Sequence, residues 1–175
     1  LCQNNNWKIS GIDYSEDADL FLETMNLINR EATLYRIDMF EEKVSRKFDV
    51  VASYGLVEHF RGKTLDDLFQ LHNLYVKSGG YVVIEMPNFT GFQYFWHYLF
   101  DRPDLDNHNV DIMQPNSLNW FEKNGFKVLY NDYVGVMRLW GNSSFKNKYS
   151  KKFIIAFSLI LNSVASLLDK IGIKF

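Results

Sequence analysis

The stretch Lys8-Ile9-Ser10-Gly11-Ile12-Asp13-Tyr14-Ser15 decides the fold class of this 175-residue chain. It predicts a short apolar strand that ends in an acidic side chain, with Ser15 at the point where a helix can begin. Serine accepts hydrogen bonds from the first N–H groups of a helix. Acidic residues follow at positions 16, 17 and 19, where the helix dipole favours negative charge. This order of strand, acid and helix is typical of an open α/β sheet.

The next elements alternate as a parallel sheet requires. Residues 32–38 predict a second strand, which again ends in an acid, and residues 48–54 predict a third. A helix capped by Thr64 and ended by Lys77-Ser78-Gly79-Gly80 leads to a fourth strand over residues 81–86. We therefore predict a Rossmann-like, doubly wound, mostly parallel sheet. In such a sheet, an acid at a strand end can bind the ribose hydroxyls of a nucleotide-like cofactor.

The second half of the chain has a different composition and a different pattern of predicted elements. Residues 89–100 predict an aromatic helix, and residues 101–116 a polar loop. Residues 117–124 predict a short helix stopped at a glycine, followed by a strand over residues 126–136. The aromatic helix follows a strand end, so it either covers an apolar substrate or packs in the core, and the sequence leaves both open.

Composition narrows the class of protein. The chain is 47% hydrophobic, enough for one sizeable core, and its net charge of -2 gives no general attraction to nucleic acid. Its one cysteine, Cys2, rules out an internal disulfide framework and a cysteine-rich zinc site. These features fit a reducing cytoplasm.

The last part of the chain predicts a separate helix. Residues 153–168 form an uncharged run of 16 residues, shorter than the roughly 20 that span a bilayer. Ser158, Asn162 and Ser166 repeat every four residues and so share one helical stripe. We predict an α/β domain over residues 1–148 and an apolar helix over residues 149–175. The helix docks on the domain or, as the alternative, makes peripheral contact with a membrane.

Four segments, in order and separated by one helix each, carry a family resemblance over about residues 8–87. They are Gly11-Ile12-Asp13-Tyr14-Ser15, Ile37-Asp38-Met39-Phe40, Phe48-Asp49-Val50-Val51-Ala52-Ser53-Tyr54-Gly55-Leu56-Val57-Glu58-His59 and Lys77-Ser78-Gly79-Gly80-Tyr81. The chain resembles the class I S-adenosylmethionine-dependent methyltransferases that act on small molecules such as lipids, quinones and sugars. The resemblance implies S-adenosylmethionine as cofactor and a small-molecule methyl acceptor.

The resemblance also implies cofactor-binding roles for particular residues. Asp13 would bind the ribose hydroxyls, with Tyr14 beside the adenine. Asp38 would accept from the adenine amino group, with Met39 packed nearby. Ser53 and Tyr54 would line the cofactor near its sulfonium.

A second implied site is the pair Glu58 and His59, which would lie beside the transferring methyl group. A histidine can take a proton near neutral pH, so His59 is the candidate base and Glu58 would orient it. The open alternative is that the pair only shapes its loop. Some relatives carry a metal-binding acid where this chain has Gly55, and the spacing of His97 and His108 fits no metal motif. The sequence therefore predicts no metal ligands.

The chain departs from the family pattern at its beginning. Family members start with a central strand and a glycine-rich loop that holds the methionine part of the cofactor, whereas only six residues precede Trp7 here. A last strand is also missing at the other end. We expect the chain to be an internal fragment of a longer open reading frame.

Two other classes of function stay open. One is a degenerate, non-catalytic interaction domain of the same fold. The other is a nucleotide-binding oxidoreductase or epimerase, which would need a glycine fingerprint and a Tyr-x-x-x-Lys pair. No such pair occurs near the fourth predicted strand.

Overall fold

A computed structural model of the chain describes residues 7–28, 30–114, 119–133 and 148–170. The described strands are β1 (Ile9–Ile12), β2 (Ala32–Tyr35), β3 (Phe48–Tyr54) and β4 (Val76–Glu85). The described helices are α1 (Asp19–Leu27), α2 (Gly62–Tyr75), α3 (Gly91–Phe100), α4 (Arg102–Asn107), α5 (Asn119–Lys123) and α6 (Lys148–Lys170). Short 3-10 helices cover Glu16–Ala18, Val57–His59 and Val110–Ile112.

The strands form two parallel pairs. β1 pairs with β2 in the register that places Ile9 opposite Ala32 and Ile12 opposite Tyr35. β3 pairs with β4, and the N–H of Gly55, just after β3, donates to the carbonyl of Glu85 at the end of β4. The predicted α/β class is confirmed. Within the described ranges the pairs stay separate two-stranded sheets, so one doubly wound sheet is not observed there.

The chain divides into two compact units. The first comprises Leu1–Val51 and Gln70–Val82, and the second comprises Ala52–Phe69 and Val83–Phe175. β1, β2 and α1 lie wholly in the first unit, and α3 to α6 lie in the second.

The second unit has an apolar cluster next to its candidate site. Phe89, Leu105 and Met113 are buried together, and Met86 and Val110 pack against them. This cluster anchors the segment after β4 to α4, because Phe89 follows the strand and Leu105 lies on the helix.

The glycines after α2 were interpreted wrongly from the sequence. α2 begins at Gly62, before the predicted cap Thr64, and continues directly into β4 at Val76. The predicted helix stop, residues 77–80, therefore lies in a strand. Gly79 has a φ of 75°, a left-handed conformation that glycine adopts at little cost in free energy.

Gly80 is required by a close backbone approach. A Cβ at this position would lie 2.7 Å from the carbonyl oxygen of Asp49 and 2.8 Å from Cγ2 of Val76. The strand can occupy this position only because residue 80 has no side chain. Gly80 therefore lets β4 lie against the start of β3, and it does not end α2.

The prediction of a polar loop over residues 101–116 is also wrong, since α4 and a 3-10 helix occupy part of it. Proline lies in the first turn of α4, where its missing N–H costs nothing. Arg102 and Asp106 form an ion pair one turn apart, at 2.8 Å, which further favours the helix.

The last predicted strand is not seen where the structure describes it. Gly125, with a φ of 85°, ends the short helix as predicted, although residues 117–118 lie outside the described residues. Residues 126–133 then form no strand, and residues 127–133 are exposed. Residues 134–136 are not described. Aromatic and β-branched residues here favoured a strand, but no described strand pairs with them.

The face of α6 that carries most of its large apolar residues is exposed, and the opposite face is buried. Ser158 and Ala165 are buried, and the Ser158 hydroxyl donates to the carbonyl of Ile155 at 2.8 Å. Large apolar side chains are exposed along the helix: Phe153, Phe157, Leu159, Ile160, Val164 and Leu167. Among the described helices, none has the length and hydropathy needed to cross a membrane.

Candidate functional site

The acidic residues after β1 and β2 lie at the same edge of this parallel pair. Asp13 directly follows β1, and its N–H donates to the carbonyl of Tyr35 at 3.1 Å, so the pairing extends to the acid. Asp38 comes three residues after β2. Because the strands are parallel, both carboxyl ends, and both acids with them, share one edge.

Each of these acids uses one oxygen to hold a turn. Oδ1 of Asp13 accepts from the N–H of Ser15 at 2.8 Å, and Oδ1 of Asp38 accepts from the N–H of Phe40 at 2.8 Å. No described residue donates to the second oxygen of either carboxylate. The turn therefore fixes the carboxylate and leaves one oxygen able to accept from a ligand.

The neighbours of these acids differ in exposure. Tyr14 is 71% exposed, so its ring is available to stack on a flat ligand. Met39 is half-buried beside Asp38. These four predicted residues lie together in the first unit, and the other four predicted residues lie in the second.

In the second unit, β3 ends in a buried Ser53 and an exposed Tyr54. Gly55 then takes a φ of 60° and turns the chain into the 3-10 helix Val57–His59. A residue with a side chain would be strained in this left-handed conformation. The turn places Glu58 and His59 immediately beyond the carboxyl end of β3.

Hydrogen bonds clamp this turn to residues 107–109, and we call the arrangement the 58–109 clamp. The N–H of Asn109 donates to the carbonyl of Glu58 at 2.6 Å, and its side-chain amide donates to the carbonyl of Phe60 at 2.9 Å. The Arg61 guanidinium donates to the carbonyl of His108 at 2.5 Å. The main chain on both sides of the Glu-His pair is therefore held by three hydrogen bonds, none of which uses the side chain of Glu58 or His59.

Glu58 is buried inside the clamp. Its side chain is among the largest fully buried ones, and Oε2 has no hydrogen-bond partner in the described part of the chain. Burial raises the pKa of Glu58 above its usual value, because the charged carboxylate is poorly solvated. The neutral form of this side chain is therefore favoured more than in water.

His59 is exposed and has a defined orientation. Its Nδ1 lies 3.4 Å from the carbonyl oxygen of Asn107, and its ring packs on His108 with centroids 4.6 Å apart. A carbonyl can only accept, so Nδ1 carries the proton in this contact and Nε2 has the free lone pair. That nitrogen can take a proton from a ligand.

Folding brings titratable side chains together that the sequence spacing did not connect. Donor atoms of Glu58, His59 and His108 lie within 4.8 Å of one another, and so do those of His97, Asp101 and Asp104. Sequence reasoning missed His108 and Asn109 as partners of the Glu-His pair. The sequence pattern predicts a loop there, and Asn109 lies 49 residues from its partner Phe60.

Replacing Glu58 by glutamine is expected to remove a pH dependence of stability. Because its pKa is raised on folding, the folded state holds the proton more tightly than the unfolded state. The free energy of unfolding should therefore fall as pH rises above the ordinary value of 4.5, until the raised pKa is passed. Glu58→Gln should abolish this fall and stabilise the protein near neutral pH by about 1 kcal/mol.

Urea unfolding at a series of pH values measures this effect. Exposed Glu122 supplies the matched control, and Glu122→Gln should keep the fall. A pH profile of Glu58→Gln that parallels the unmodified chain would show that Glu58 is not the group responsible.

Comparison with known proteins adds little. No protein-family model and no curated protein matches the chain. Among solved structures the chain is similar to PKMT2 from Rickettsia typhi in complex with AdoHcy, with 14% identity and a TM-score of 0.42. The match covers 85% of this chain and 27% of that one, so this chain spans about a quarter of that protein's length.

Proposed function

We propose that the chain takes part in methyl transfer from S-adenosylmethionine to a small-molecule acceptor, such as a lipid or a sugar-linked compound. The observation that supports this most is the pair of acids at the shared edge of β1 and β2. Each has one oxygen held in a turn and one available to a ligand. Two fixed acceptors suit the hydroxyl and amino groups of an adenosine.

The proposed roles follow the family resemblance. Asp13 and Tyr14 bind the ribose and the adenine, and Asp38 and Met39 bind the far side of the adenine. Ser53 and Tyr54 line the cofactor near its sulfonium. The proposal includes the doubly wound architecture, of which the described residues contain two parallel pairs of strands.

Methyl transfer from a sulfonium requires little of the protein beyond positioning the donor and the acceptor. A sulfonium is already activated, so alignment of donor and acceptor and removal of water supply most of the rate. A hydroxyl acceptor must also lose a proton. We assign that proton to Nε2 of His59, with Glu58 and the 58–109 clamp fixing the turn that carries it.

Asp13→Asn is expected to weaken S-adenosylmethionine binding at least tenfold. Asparagine keeps an oxygen for the N–H of Ser15, so the turn persists, but it loses the charge and presents a donor where the ligand needs an acceptor. A tenfold loss corresponds to about 1.4 kcal/mol. Equilibrium dialysis with radiolabelled S-adenosylmethionine measures it, on the longest open reading frame that contains this chain.

The matched control is Asp17→Asn, an exposed acid in the neighbouring 3-10 helix, which should bind normally. Equal affinity in Asp13→Asn and the unmodified protein would contradict the assignment of the ribose site. No measurable binding by the unmodified protein would contradict the proposed reaction.

A second candidate is a non-catalytic interaction domain that contacts a membrane through residues 153–168. The exposed apolar side chains of α6 favour it, because such a continuous strip is unusual on a free surface. The dialysis experiment separates the candidates when it is paired with flotation on phospholipid vesicles. Vesicle binding without cofactor binding would select the interaction domain.

A further inference from the structure

A group of three side chains, two of them buried, lies where α3 and α4 meet. Asp101 ends α3 and precedes α4, so a single residue joins the two helices. Nδ1 of His97 lies 3.8 Å from Oδ2 of Asp101 and 3.6 Å from Oδ2 of Asp104. The side chains of His97 and Asp101 are 0% and 2% exposed. Three donor groups therefore converge in a place that the proposed methyl transfer does not use.

His97 lacks the hydrogen bonds that a buried imidazole normally makes. Neither Nδ1 nor Nε2 has a partner among the described residues. The separations of 3.6 and 3.8 Å are too long for hydrogen bonds. A buried polar group left in this state costs about 1 to 3 kcal/mol. The imidazole and the two carboxylates are therefore far enough apart for a bound ligand to lie between them.

The geometry points to a divalent transition-metal site, of the kind that takes Zn²⁺, formed by His97, Asp101 and Asp104. Zinc binds imidazole nitrogen and carboxylate oxygen at about 2.0 to 2.2 Å, so tetrahedral ligands lie about 3.4 Å apart. The observed separations of 3.6 and 3.8 Å differ from this by a few tenths of an ångström. Small side-chain rotations close the difference.

The surroundings of the three side chains also favour metal binding. The Asp104 side chain is 36% exposed, so one side of the group opens to solvent and a water can complete the four ligands.

Neighbouring groups hold two of the donors in place. The Phe89 ring packs on His97 with centroids 4.1 Å apart and on His108 with centroids 4.8 Å apart. Nδ1 of His108, the residue that ends α4, lies 2.6 Å from the main-chain oxygen of Asp104, as expected of a donor to a carbonyl in the last turn of that helix. Such outer contacts are typical of metal sites.

Metal binding by the purified, chelator-treated chain tests the site. Titration with Co²⁺ should give visible absorption bands of a tetrahedral ion at a stoichiometry of one, and Zn²⁺ should displace it and raise Tm. Asp104→Asn should weaken Zn²⁺ binding at least tenfold. The matched control Asp106→Asn, an exposed acid on the same short helix, should bind as the unmodified chain does.

Two further variants keep the result unambiguous. His97→Gln should also lose Zn²⁺ binding, but this substitution alters a buried position and can unfold the chain. The decisive variant is therefore Asp104→Asn, because Asp104 is half-exposed. The Tm of metal-free Asp104→Asn is measured alongside. His59→Ala removes an exposed member of the other donor group and should leave Zn²⁺ affinity unchanged. The site is wrong if the chain binds no Co²⁺ or Zn²⁺, if Asp104→Asn binds normally, or if His59→Ala alone abolishes binding. The test does not depend on the proposed methyl transfer.

Discussion

Replacing His59 by alanine is expected to slow the proposed methyl transfer by about 100-fold while changing the affinity for S-adenosylmethionine by less than about twofold. None of the three bonds of the 58–109 clamp uses the His59 side chain, so the clamp should survive loss of the imidazole. What disappears is the free lone pair of Nε2, which only the reacting acceptor needs. Formation of S-adenosylhomocysteine, with a small-molecule extract as the acceptor pool, measures the rate, and dialysis measures the affinity.

Two comparisons separate proton transfer from a merely structural role. His59→Gln can still donate to the carbonyl of Asn107 but cannot take up a proton, so it should be as slow as His59→Ala. Added imidazole should restore part of the rate to His59→Ala. Equal losses of rate and cofactor affinity, or full activity in His59→Gln, would mean that the pair only shapes its loop.

Replacing Gly80 by alanine is expected to lower the free energy of unfolding by about 1 to 3 kcal/mol. The new Cβ would lie 2.7 Å from the main-chain oxygen of Asp49, so relief requires movement of backbone between β3 and β4. The other close atom, Cγ2 of Val76 at 2.8 Å, belongs to a buried, branched side chain with little freedom to rotate. Thermal unfolding followed by circular dichroism should show a Tm lower by about 2 to 10 °C.

Ser78 provides the control for this prediction. It lies in the same strand and is exposed, so Ser78→Ala should leave Tm within about 1 °C. An unchanged Tm in Gly80→Ala would show that β4 can move away from Asp49 at no cost. In that case the glycine would not be needed for the approach of the two strands.

Local pattern was enough to predict part of this fold. The bounds of β3 match the prediction, since its short apolar run with two β-branched valines favours a strand. Gly125 ends its helix as predicted, because a left-handed residue is a local requirement. The helix that follows residue 147 was also recognisable from its long apolar run.

Other features depend on contacts between distant parts of the chain. Gly79 and Gly80 look like a helix stop in sequence, and only the approach of Asp49 shows their use in a strand. The clamp joins residues nearly 50 positions apart, so no local spacing indicates it. The group around His97 was missed for a related reason, because the helix break at Asp101 redirects the chain and brings Asp104 back towards the imidazole.

The 58–109 clamp also bears on how this surface can change during evolution. Its acceptors are the main-chain carbonyls of residues 58, 60 and 108, which every amino acid supplies. Only the donors from Arg61 and the amide of Asn109 depend on side-chain identity. The exposed side chain at position 59 can therefore be exchanged while the backbone frame persists. A lineage carrying this frame could acquire new reactivity there without first evolving a new scaffold.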